Sequence, residues 1–143
     1  MNRHTIALSV AMAAIIAGGI ALAEGTRTEE REEYVSTAET TTILREELAA
    51  IDGKEGTVFS GRLKPGWVGE RHYHTGDVFL YVVKGSFTVD VDGEYRKTFG
   101  PGEVYHEAVN KVMRARNLST TDSTEVIIFQ VGDKGEPLMI RAQ

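Results

Sequence analysis

The chain contains no cysteine. Disulfide bonds are therefore excluded, and with them a cysteine-based zinc site and a lipid anchor on an N-terminal cysteine. Proline is scarce, with three in 143 residues, and tryptophan occurs once. No proline-rich or other low-complexity tract is present, and no internal repeat. Basic residues are outnumbered, with 16 Lys and Arg against 21 Asp and Glu, giving a formal net charge of −5. An acidic chain of this size is not built to hold nucleic acid or an anionic membrane surface. There is no Ser-His-Asp series and no glycine loop of the kind that cradles phosphates.

Only one long apolar run exists, and it lies at the start. Asn2, Arg3 and His4 form a short polar, basic opening, and Thr5 to Leu22 is apolar or small without a charge. Ala21-Leu22-Ala23 is a small-x-small cleavage pattern, and Glu24 opens a polar stretch. That order predicts a secretory signal peptide over residues 1–23, cut after Ala23. The expected location is then the periplasm or the outside of the cell, with no membrane attachment after cleavage. An uncleaved anchor is the alternative, since the run is at the short edge of a span. Gly18-Gly19 and the Ala-Leu-Ala site favour cleavage.

The remaining chain is long enough for one domain with its own core. Residues 24–33 are almost wholly polar and read as a flexible lead-in. Residues 34–42 are Thr-rich and fit an edge strand, so 24–42 is set apart as lead-in and edge strand. Residues 43–51 are ambiguous, with some helical character before the Asp52-Gly53 turn. Residues 43–143 are assigned to the main domain.

From there the pattern is of short strands between turn residues. They are expected at 57–64, 78–83, 86–91, 94–99, 103–109, 111–118 and 124–131. In 86–91, Phe87, Val89 and Val91 alternate with Ser86, Thr88 and Asp90, a period of two. Asp92-Gly93 is a hairpin signal between two such runs. Many short strands with little helix predict an all-β sandwich or barrel. The aromatics at strand spacing, among them Trp67, Phe79, Tyr81, Phe87, Tyr95, Phe99, Tyr105 and Phe129, are expected in pocket wall and core. Arg114 and Arg116 share a strand face. They read as surface charge, with an anion clamp as the alternative.

His72-Tyr73-His74 is the sharpest chemical feature. Two residues apart on a strand, both imidazoles point to one face; on a helix they would splay apart. A strand can thus offer both to one metal ion or one ligand, and neutral imidazole is the commonest protein ligand for transition metals.

The stretch Gly66-Trp67-Val68-Gly69-Glu70-Arg71-His72-Tyr73-His74, continuing to Gly85, resembles the first motif of the cupin superfamily. That motif is Gly, five residues, H-x-H, three or four residues, Glu, six residues, Gly. Residues 102–117 are similar to the second motif, and Asp92-Gly93 falls in the short link between them. The resemblance covers residues 57–131, and it implies a small single-domain cupin, a double-stranded β-helix or jelly-roll barrel with a pocket in its mouth. It also implies a homodimer. Two departures stand out. Where the family carries a glutamate ligand, seven residues before Gly85, this chain has Val78, which cannot bind a metal. Where the family carries a histidine, four residues before Asn117, it has Met113.

The resemblance thus leaves His72 and His74 as metal ligands, with Met113 as a third. Met113 is either a soft thioether donor suited to Cu(I) or an apolar filler of the core. Asp77 lies beside the lost glutamate, but its side chain should point to the other face. His106 and Glu107 are adjacent, so one of the two should face the interior. The expected function is a binding module whose pocket takes a small molecule, a metal ion, or both, through His72 and His74. Copper is the metal that His/His/Met favours, with iron or manganese as alternatives. The competing class is a metal-dependent enzyme of the oxygenase type.

Overall fold

The computed structural model describes residues 31–143. The segment assigned to the signal peptide, and most of the polar lead-in, lie outside the described residues. Ten strands follow one another: β1 (Glu39–Glu47), β2 (Lys54–Leu63), β3 (His72–His74), β4 (Asp77–Lys84), β5 (Phe87–Val91), β6 (Tyr95–Phe99), β7 (Val104–Glu107), β8 (Met113–Arg116), β9 (Thr124–Asp133) and β10 (Met139–Arg141). No helix occurs among the described residues. The strands form two five-stranded sheets, in the orders β1-β2-β9-β4-β7 and β10-β3-β8-β5-β6. All named pairings are antiparallel. This is the all-β barrel expected from the strand pattern, in the double-stranded β-helix form that the cupin resemblance implies.

Alternation places the core. In β4, Val78, Leu80 and Val82 face inward, while Phe79, Tyr81 and Val83 face out. In β5 the inward residues are Phe87, Val89 and Val91. All of these but Val78 meet Leu63, Phe99, Tyr105, Met113 and Val126 in one cluster. The aromatics divide accordingly. Phe87, Phe99 and Tyr105 are buried, whereas Phe79, Tyr81, Tyr95 and Phe129 are 43%, 45%, 45% and 37% exposed. Their expected place in the core is thus corrected. A continuous apolar run does not reveal that one sheet face is unpaired, and period two sends alternate members outward.

Residues 43–47 are strand, not helix. β1 pairs with β2 from Glu39↔Arg62 to Glu47↔Glu55, with a bulge between Thr42 and Leu44. The preceding β-branched Thr-Thr-Thr-Ile run and the available edge of β2 override a weak local helical preference. β10 was not expected. It closes the second sheet by pairing Met139, Ile140 and Arg141 with β3. Strands expected at 103–109 and 111–118 are shorter, because residues 108–112 turn, with Asn110 at φ 61°.

Two glycines position the His72–His74 strand and the one after it. A Cβ on Gly76 would stand 2.1 Å from the Val131 carbonyl oxygen, so only glycine lets the chain pass this close to β9. Gly85 holds φ 75° at the turn after β4, against Ser123.

Candidate functional site in the barrel cavity

β3 is three residues long, and its burial alternates as the spacing requires. His72 and His74 are buried, with Tyr73 between them less so. The two rings share one face, with centroids 5.3 Å apart.

Each ring is held differently. His72 Nδ1 lies 2.8 Å from the Glu70 carbonyl oxygen. A carbonyl can only accept, so the proton is assigned to Nδ1 and the lone pair to Nε2. Burial, and after it the neighbouring His74, push the His72 pKa down to about 4, with Glu107 acting the other way. His72 is therefore a neutral imidazole at ordinary pH. The Tyr34 ring lies against it, with centroids 4.8 Å apart.

His74 is engaged at both nitrogens. Gln130 Nε2 donates to the Leu138 carbonyl at 3.0 Å, which turns Oε1 toward the imidazole. His74 Nδ1 then donates to Gln130 Oε1 at 3.0 Å. On the other side, His74 Nε2 is 2.8 Å from Glu107 Oε2. Burial alone would lower the His74 pKa. The Glu107 charge and the hydrogen bonds to Glu107 and Gln130 outweigh it, and the pKa is raised. His74 and Glu107 thus form a buried hydrogen-bonded pair that favours the protonated imidazole.

Register explains how these groups meet. Thr57, Gln130, Val78 and Glu107 lie side by side on β2, β9, β4 and β7. His74 comes from the facing sheet and bonds the residues on either side of Val78. The carboxylate missing at position 78 is supplied one strand over, by Glu107.

His72, His74 and Glu107 line one cavity. Of the adjacent pair, Glu107 is the inward member. His106 is exposed and pairs with exposed Asp77 at 2.9 Å, stacked on Phe79. Neither His106 nor Asp77 reaches the interior. Met113 is the register partner of His72 but packs in the apolar core cluster and does not line the cavity. Arg116 bonds Asp90 at 2.5 Å, together with Arg96, on the outer face of the second sheet. Gln130 belongs to no motif, although period two along β9 puts it on the face of Val126 and Ile128. Tyr34 carried no signal at all.

The cavity has a volume of about 220 Å³. Its wall is mostly apolar, with Phe59, Leu63, Trp67, Leu80, Phe87 and Ile128 among the lining. Residues 33–38 close one side of it, ahead of β1, tied down by Tyr34 N to the Met139 carbonyl at 3.0 Å.

Residues 59–129 match the family model Cupin_2, a cupin domain. Comparison with curated protein sequences returns no match. Among solved structures, the chain is similar to a DMSP lyase from Ruegeria pomeroyi, with a TM-score of 0.58 and 11% identity. That likeness covers 73% of this chain and 51% of the lyase, so this chain spans about half the lyase's length. It is also similar to a conserved uncharacterised protein with a double-stranded β-helix domain from Klebsiella pneumoniae, with a TM-score of 0.55, 15% identity and coverage of 74% and 85% of the two chains. A cupin-like protein from Thermotoga maritima aligns with a TM-score of 0.55 and 17% identity over 71% of this chain and 77% of that one. At such identities the likeness is one of fold. With the barrel and the family match in agreement, residues 59–129 form a cupin domain.

Proposed function

We propose that this protein is an exported binding module whose barrel cavity holds a small molecule, with His72 and His74 at its polar end. The observation that carries this reading is the cavity itself: an apolar wall converging on three buried polar side chains, His72, His74 and Glu107. Ligand pockets are typically apolar with a few placed polar groups that orient the occupant. Export rests on the order of charge, apolar run and small residues at positions 2–23.

A transition metal ion is the further group that this end of the cavity suits by donor type. Two imidazoles and a carboxylate are the set used by non-haem metal sites. His72 offers a free Nε2 lone pair without rearrangement. His74 and Glu107 do not, because each is turned to the other at 2.8 Å. Among the described residues, no group of three or more His, Cys, Asp or Glu side chains is set to hold a metal ion. Binding through all three would require His74 and Glu107 to exchange their mutual hydrogen bond for the ion. A metal bound there would supply Lewis-acid character at the polar end. The Glu107 carboxylate favours iron or manganese over the copper suggested by a His/His/Met set, and it is the observation that keeps the oxygenase-type enzyme as the second reading.

The test is the elemental content of protein isolated from its native compartment. Absence of metal, with a co-purified organic ligand, supports the binding module. Iron or manganese at one per chain supports the enzyme. Copper at one per chain returns Met113 to the site.

A further inference from the structure

We infer that the cavity takes a neutral molecule about the size of one ring, carrying a hydroxyl that donates to His72 Nε2. This rests on the pocket reading above and names its ligand class.

Size comes first. The cavity is about 220 Å³. Pockets for drug-sized ligands run from about 300 to 1,000 Å³, whereas an apolar cavity of about 150 Å³ accommodates benzene. A single ring with one or two short substituents fits this space, and a fused polycycle does not.

Charge comes second. Among the described residues, no Lys or Arg lines the cavity. Its ionisable lining is Glu33, Tyr34, Glu107, His72 and His74, and Glu107 is already paired with His74. A carboxylate or phosphate ligand would be buried beside His72, whose Nδ1 is committed to the Glu70 carbonyl, with no lysine or arginine in the wall, which is costly. A cationic ligand fares no better at this end, because the Glu107 charge is spent on His74.

The head group comes third. With Nδ1 tied to the Glu70 carbonyl and both His74 nitrogens engaged, the imidazole nitrogen left open at the polar end is an acceptor. An acceptor selects a donor, and a hydroxyl on an otherwise apolar body is the smallest neutral group that provides one. Leaving the buried nitrogen dry and unpaired would penalise an analogue without the hydroxyl.

Trp67 is the chain's sole tryptophan and lies in the cavity wall, so its fluorescence reports occupancy directly. The chelator-treated full-length protein is titrated with phenol, toluene and benzoate, which share a ring and differ in the head group. Phenol is expected to perturb Trp67 saturably and to bind about tenfold tighter than toluene, with benzoate weaker than both. In His72→Phe, which keeps an apolar ring but removes the acceptor, phenol and toluene should become equal. Toluene or benzoate binding wild type as tightly as phenol overturns the hydroxyl assignment while leaving the pocket in place. No saturable response to any of the three overturns the pocket reading itself, and the ligand class with it.

Discussion

Val78 and Glu107 are register partners across β4 and β7, and Glu107, not residue 78, carries the carboxylate that meets His74. A β-sheet places such cross-strand partners on the same face, about 5 Å apart. Moving an acidic side chain from one to the other therefore keeps it inside the barrel but changes what it reaches. Here it reaches His74 Nε2, while Gln130 holds the other nitrogen.

That arrangement makes Glu107→Gln an informative change. It preserves volume and removes the charge that holds His74 above its ordinary pKa. His74 should revert to a neutral imidazole with its pKa lowered by burial. The expected loss is about 1–3 kcal/mol of unfolding free energy, measured by denaturant titration at pH 6. A raised pKa stabilises the fold below the unfolded value and ceases to do so as pH rises through the folded one. The gap between wild type and variant should therefore narrow on the alkaline side.

Met113 separates packing from ligation. It is buried in the core cluster opposite His72. Met113→Leu keeps volume and apolarity and should cost less than about 1.5 kcal/mol. Metal titration of this variant should match wild type, whereas His72→Ala should lose affinity steeply. Weaker copper binding in Met113→Leu alone would show that the sulfur ligates.

Asp90 gives an acid-range prediction away from the cavity. Hydrogen bonds from Arg96 and Arg116 draw its pKa down to about 2 against the cost of burial. A depressed carboxylate stabilises the fold above its unfolded value, near 4, and loses that effect as pH falls through its folded one. Thermal unfolding between pH 5 and pH 2 should thus show a larger drop in wild type than in Asp90→Asn, with the two curves converging at the acid end.

Export predicts a mature chain that begins at Glu24. N-terminal sequencing of protein recovered from its native compartment checks this. A membrane-bound form that still begins at Met1 would assign residues 1–23 to an anchor.

Much of the fold was legible because it depends on local spacing. The H-x-H pair shares a face because strands have a period of two, and the Asp92-Gly93 signal marks a real hairpin, with Gly93 at φ 70° and Val91 paired to Tyr95. Adjacency in sequence also showed that only one of His106 and Glu107 could point inward. What was not legible depends on long-range register. Nothing local says that Glu107 sits beside Val78, or that Gln130 sits on its other side. The exposed aromatics Phe79 and Phe129 pair across strands on the outer face, and no pattern within either strand tells inner from outer. Tyr34 belongs to a polar segment, and its burial against His72 comes from a partner far along the chain, β10.

The ¹⁵N spectrum of the His72 and His74 imidazoles, recorded with and without an occupant in the cavity, reads the polar end of the barrel atom by atom. Free His72 should carry its proton on Nδ1 and a lone pair on Nε2 across neutral pH, while His74 should be protonated at both nitrogens. Adding phenol, or a divalent metal ion, should shift His72 Nε2 first and furthest. A His72 Nε2 that is already protonated, or that responds to neither phenol nor metal, would remove His72 from the polar end of a binding pocket.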